Sequence, residues 1–125
     1  MAVTIRYIGK SADELRFFIS FHDQHAGGIT VHSVKGNCFS YGIAVAPSLR
    51  RKGIAKAALS LLFEDMHKRG YARAVAKIAP DNAASLALHA SLGFKENARN
   101  TQAVTMEKEI GSPYPSPAST SPSFS

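Results

Sequence analysis

The stretch "VAPSLRRKGIA" (residues 45–55) ends an apolar run near a proline, sets three cations side by side, and passes through a glycine into an alanine-rich amphipathic segment. Positive charge at a helix start opposes the helix macrodipole, so the arrangement costs stability unless the side chains are solvated or an anion sits among them. The segment has what an anion site requires. A strand ends, the chain turns tightly, and the first turn of a helix offers unpaired N–H groups. Gly53 permits unusual backbone angles and close approach, Ala55 keeps the opening small, and Arg50, Arg51 and Lys52 bring long cationic side chains to the same place. Phosphate or pyrophosphate is the guest such a loop suits; a plain solvated turn is the competing reading. Neither the P-loop pattern G-x-x-x-x-G-K-[ST] nor the dinucleotide pattern G-x-G-x-x-G occurs in the chain.

After the loop, residues 53–69 predict a helix. Ala55, Ala58, Leu59, Leu62 and Met66 fall on one stripe and Lys56, Ser60, Glu64 and Lys68 on the other, with Gly70 as the stop. Before the loop, residues 38–45 read as a strand that Pro47 ends, because proline cannot donate to a ladder. Further strands are expected at 3–8, 15–21 and 29–34, with "QHAGG" (24–28) as a flexible hairpin link and "GN" (36–37) as a turn. Beyond the helix, "YARAVAKIA" (71–79) alternates as a strand up to Pro80. Asp81 and Asn82 are N-cap candidates for a short helix over 83–92 closed by Gly93, and two short strands fit within 94–110. The strand–helix–strand unit over 38–79 predicts a right-handed crossover between parallel strands, flanked by antiparallel hairpins. The fold class is α/β in the α+β sense: a mixed, mostly antiparallel sheet with two main helices.

At 125 residues the chain is one domain's worth, expected over 1–110. The Ser/Pro-rich remainder "GSPYPSPASTSPSFS" (111–125) has no apolar period and reads as a flexible tail. No apolar run approaches the roughly 20 residues that span a bilayer, and the N-terminus lacks a signal peptide's apolar core. Cys38 is the single cysteine, which excludes an internal disulfide and a thiolate zinc cluster, so a cytoplasmic setting without a metal is expected. A net charge of +6 suits an acidic ligand or simply good solubility, but aromatic and basic residues do not interleave, so nucleic acid is not the expected partner, nor is a membrane.

The loop resembles motif A of the GCN5-related N-acetyltransferases, [QR]-x-x-G-x-[GA], with Arg50, Gly53 and Ala55 at the three defining positions. A second block, "NAASLALHASLGF" (82–94), resembles that family's motif B, N-x-x-S-x-x-L-Y-x-x-x-G-F, and "MEKEI" resembles a common family ending. The resemblance covers about residues 15–110. It implies a GNAT-like sheet splayed open between strands four and five, with acetyl-CoA in the gap as cosubstrate. It also implies that backbone groups at Ile43, Ala44 and Val45 hold the pantetheine arm and the thioester carbonyl. The amides of Arg51, Lys52, Gly53, Ile54 and Ala55 would bind the pyrophosphate, with Arg50, Arg51 and Lys56 beside it; Asn82 and Ser85 fall on the cofactor side of the second helix. The implied reaction is direct acetyl transfer to a primary amine in a ternary complex. A non-catalytic acyl-CoA-binding module is the alternative.

The chain departs from the family pattern in three places. His89 stands where relatives carry a tyrosine that protonates the departing thiolate, and it is the first candidate acid, with Ser85 one helical turn before it. Cys38-Phe39-Ser40-Tyr41 carries none of the carboxylate that many relatives use as base early in the fourth strand. A water chain, His22 or His32 are the substitutes to consider, and Tyr41 could orient substrate or replace the missing phenol. Only "GKSADE" separates the first two strands, where relatives commonly insert two helices. The acceptor side is therefore expected to be open, suited to a large substrate, or completed by a second subunit in a homodimer.

Overall fold

The computed structural model describes residues 2–11, 14–33, 36–49 and 53–110. Seven strands form one sheet in the order β1-β2-β3-β4-β5-β7-β6. They are β1 Val3–Ser11, β2 Glu14–Phe21, β3 Gln24–Ser33, β4 Cys38–Val45, β5 Arg73–Ile78, β6 Lys95–Arg99 and β7 Val104–Glu109. Two helices join them, α1 Ile54–Lys68 and α2 Ala83–Ser91. All pairings are antiparallel except β4 with β5. The expected mixed sheet with one parallel pair is therefore present, with the strand-to-strand crossover running through α1. The proposed tail, 111–125, lies outside the described residues.

Period-two alternation fixes which way each strand faces. Phe17 and Ile19 of β2, Ile29 and Val31 of β3 and Phe39 of β4 are buried together, while Arg16, Phe18 and His32 face the other way and are exposed. The buried face receives α1 through Ile54, Ala58, Leu59, Leu62, Phe63 and Met66, which widens the stripe read from the sequence and leaves Ala55 at its half-buried margin. Phe63 of α1 and His89 of α2 both touch the Tyr41 ring of β4, so the two helices share one face of the sheet. No described helix covers the other face.

The first hairpins differ from the sequence expectation. "QHAGG" is not a link: residues 24–28 are the first half of β3, and the turn is His22–Asp23, both at positive φ (52° and 65°). That is the backbone of a two-residue primed turn, which matches the twist of the flanking strands. Gly27 is there for contact. A Cβ on Gly27 would stand 2.0 Å from the Ala44 carbonyl oxygen, so only glycine lets β3 lie this close to the end of β4. A register shift between Ile19 and Ser20 accompanies it. β1 is also longer than expected, reaching Ser11 with a register shift after Tyr7.

Candidate active site

β4 and β5 pair over only three positions, Cys38 with Arg73, Phe39 with Ala74 and Ser40 with Val75. Beyond Ser40, β4 continues for five residues to Val45, and beyond Val75, β5 continues to Ile78, without further pairing between them. The sheet therefore opens into a wedge whose apex is at Ser40 and Val75. β4 leaves the wedge through a single 3-10 turn, Pro47–Leu49. Ile43, Ala44 and Val45 lie along one wall, with Ile43 and Val45 half-buried and Ala44 exposed.

Arg50, Arg51 and Lys52 lie outside the described residues. Gly53 is the N-cap of α1, and its φ of 76° is left-handed. A side chain there costs about 1 kcal/mol or more, which explains the glycine. No side chain caps this helix start among the described residues. Ile54 is buried in the core, Ala55 half-buried, and Lys56 exposed at the first turn. The first turn of this 15-residue helix thus has no cap from the chain's described side chains.

α2 starts at Asn82, whose Oδ1 accepts a hydrogen bond from the Ser85 amide at 3.1 Å. Asn82 is thus a cap, as its position before the helix suggested. One turn later the chain builds a small polar group in apolar surroundings. His89 Nδ1 lies 2.8 Å from the Ser85 carbonyl oxygen, with Ser85 Oγ at 3.4 Å, and His89 Nε2 lies 2.9 Å from the Tyr41 hydroxyl. A carbonyl oxygen can only accept, so Nδ1 carries the proton in the neutral ring and Nε2 accepts from the Tyr41 O–H. His89 is 4% exposed, the one buried polar side chain among the described residues. Phe94 packs edge-on against it, with ring centroids 5.0 Å apart, and Phe39 and Phe63 pack around Tyr41.

This burial sets the charge state. It holds the His89 imidazole below its usual pKa of 6.5, with the Ser85 carbonyl pulling weakly the other way. It pushes the Tyr41 phenol well above its usual 10.0. Both groups are neutral near pH 7. Tyr41 is the first β4 residue past the last β4–β5 pair, and its hydroxyl reaches the helix that follows β5. The bond therefore ties β4 to α2 beside the narrow end of the wedge.

Of the residues singled out from the sequence, Tyr41, Ser85 and His89 come together. His22 and His32 are not part of that group. His22 sits in the β2–β3 turn with its ring against Phe21, and His32 faces Glu14 at 3.3 Å on the helix-free face. Cys38 is a free, half-buried thiol at the start of β4. Among the described residues no cluster of three His, Cys, Asp or Glu could hold a metal ion, and no helix is long and apolar enough to cross a membrane. The sequence did not point to a hollow of about 510 Å³ on the helix-free face, beside the end of β4 and bordered by Ile8, Phe18, His25, Gly28, Thr30 and Ala44. Its one signal was the missing insertion between β1 and β2.

The sheet thus opens at its parallel pair, beside a helix start that no described side chain caps. Residues 3–94 match the model of the acetyltransferase (GNAT) family, and the chain belongs to that family. It is 41% identical over 56 residues to the [ribosomal protein bS18]-alanine N-acetyltransferase of Escherichia coli K12, a match covering 45% of this chain. The matched part spans 38% of that relative's length. The crystal structure of the ribosomal-protein-S18-alanine N-acetyltransferase from Escherichia coli superposes with a TM-score of 0.70 at 25% identity, covering 86% of this chain and 76% of that one. An acetyltransferase from Bacillus subtilis solved in complex with CoA gives a TM-score of 0.76, covering 86% of this chain and 98% of that one. At 15% identity that second likeness is one of fold.

Proposed function

We propose that this chain is an acetyl-CoA-dependent N-acetyltransferase that moves the acetyl group directly to an amine while both substrates are bound. The observation that carries the reading is the parallel ladder that stops at Ser40–Val75 while both strands run on. A wedge of this kind takes an extended arm and holds it with peptide groups, here those of Ile43, Ala44 and Val45, as a pantetheine chain requires.

The pyrophosphate would rest on the first-turn amides of Gly53, Ile54, Ala55 and Lys56, where the positive end of the macrodipole favours anions. Arg50, Arg51, Lys52 and Lys56 would add charge from around it. The absence of a side-chain cap on α1 among the described residues supports this, because a ligand then supplies what the chain does not. Asn82 and Ser85 would meet the arm from the other wall; Asn82 Oδ1 is committed to its cap, which leaves its Nδ2 to donate. The acceptor would approach from the helix-free face, where the hollow beside Ala44 adjoins the wedge. The lone half-buried thiol fits a cytoplasmic setting.

The test is thiol release from acetyl-CoA with a peptide opening on alanine as first acceptor, chosen because the relatives are named for an alanine amine. Release that depends on peptide, with one acetyl gained per thiol in the peptide's mass, is the expected result. Acetyl-CoA binding without release for any amine tried would favour the acyl-CoA-binding module instead.

A further inference from the structure

We propose that Tyr41 and His89 form a proton relay that removes the proton from the attacking amine and returns it to the departing thiolate, replacing the carboxylate base that β4 lacks. The inference rests on the N-acetyltransferase reading and concerns how that reaction is completed.

The geometry is a fixed sequence of four atoms, Ser85 O, His89 Nδ1, His89 Nε2 and Tyr41 Oη. Ser85's carbonyl holds Nδ1–H at 2.8 Å, which turns the Nε2 lone pair outward onto the Tyr41 hydroxyl at 2.9 Å. His89 is enclosed, so protons reach it through Tyr41, whose half-buried side chain stands at the apex of the wedge. The groups packed against the pair are the rings of Phe39 from β4, Phe63 from α1 and Phe94 from the turn before β6. None of the ion pairs of the described residues involves either member.

Neither residue suffices alone. With its pKa raised by burial, Tyr41 does not leave a tyrosinate behind, so it passes a proton on only by receiving another at the same moment. His89 as a stored acid fails for the opposite reason, since its imidazole is neutral near pH 7. Together they balance. The amine lone pair attacks the thioester carbon, and the carbonyl π pair moves onto oxygen. The new N–H⁺ then gives its proton to Tyr41 Oη as the Tyr41 proton passes to His89 Nε2. The imidazolium so formed keeps Nδ1–H on the Ser85 carbonyl. When the carbonyl re-forms and the C–S bond breaks, the proton returns from Nε2 through Oη to sulfur, leaving a neutral amide and CoA thiol. The return runs downhill, because this imidazolium sits below 6.5 and a thiol titrates near about 8.5. Tyr41 is the catalytic residue of the pair, and His89 acts through it.

Two measurements test the relay. In the free protein, ¹⁵N spectra of the His89 ring at pH 7 should show Nδ1 protonated and Nε2 bare but hydrogen-bonded, with Nε2 shifting in Tyr41→Phe. A Nε2–H tautomer or an imidazolium would overturn the proposal. In turnover, His89→Gln keeps an acceptor for the Tyr41 hydroxyl but takes up no proton. Tyr41→Phe and His89→Gln should each lower kcat on the order of 100-fold with acetyl-CoA affinity unchanged, and the double variant should be no slower than the slower single.

Wild-type kcat/KM for the alanine-opening peptide should fall with one proton below the α-amino pKa, near about 7.8. It should fall with two protons in the range where His89 titrates, and His89→Gln should lose that second proton. A His89→Gln enzyme as fast as wild type, with the same profile, removes the relay and leaves the transferase reading standing. Failure of the wild type to bind acetyl-CoA removes both.

Discussion

His89 and Tyr41 were each visible as candidates in the sequence, but their bond was not, since 48 residues separate them. No local pattern links a β4 residue to one in α2; only the closing of the crossover brings them together. The pair also makes stability depend on pH from both sides. Burial depresses the folded-state pKa of His89, so as pH falls past 6.5 the unfolded chain binds the proton first and the fold loses stability down to that depressed value. Tyr41 has the opposite sign: its folded-state pKa is raised, and stability is lost as pH climbs past 10.0, where the unfolded phenol ionises first. Thermal melts across pH should therefore fall off on both sides of neutrality, with His89→Gln flattening the acid limb and Tyr41→Phe the alkaline one. Unchanged limbs in both variants would mean that neither group is held neutral by the fold. Asn82→Ala, which removes the α2 cap, should cost about 1 kcal/mol in denaturant unfolding.

Regular elements were readable where their period was sustained. The α1 stripe, the alternation of β5 and the capped start of α2 all follow from residue spacing, and the observed bounds differ from the expected ones by about a turn or less. At "QHAGG" the glycines suggest a loose link in the sequence, whereas in the fold Gly27 is there for close approach. Two adjacent glycines look alike in a link and in a crowded strand; only the partner backbone distinguishes them. Gly27→Ala should accordingly cost about 3 kcal/mol, near the top of what overpacking produces, because its Cβ meets main chain that cannot rotate away. Since the displaced segment is Ala44–Val45, the same variant should weaken acetyl-CoA binding. The control is Gly42→Ala, whose Cβ meets nothing within 4 Å and which should melt within a few degrees of wild type.

Across the molecule, the decisive feature is that both connections after β4 carry their helices to one face, and no described helix covers the other. The short β1–β2 connection pointed to this, while the hollow itself depends on how β1 to β4 twist around Phe18 and Ile8, both about two-fifths exposed. The basic loop carries a family motif for the nucleotide side, a reading that rests on residues 50–52 outside the described structure, and the acceptor side has no motif to read. Calorimetric titration of the wild-type chain with acetyl-CoA, beside an Arg50→Ala, Arg51→Ala double variant, addresses that nucleotide side. Saturable one-to-one binding in the wild type, weakened roughly tenfold or more in the double variant by loss of charge-assisted contacts, is the expected result. A folded wild type that shows no heat at millimolar acetyl-CoA would contradict it, and the wedge between β4 and β5 would then be shape without its ligand.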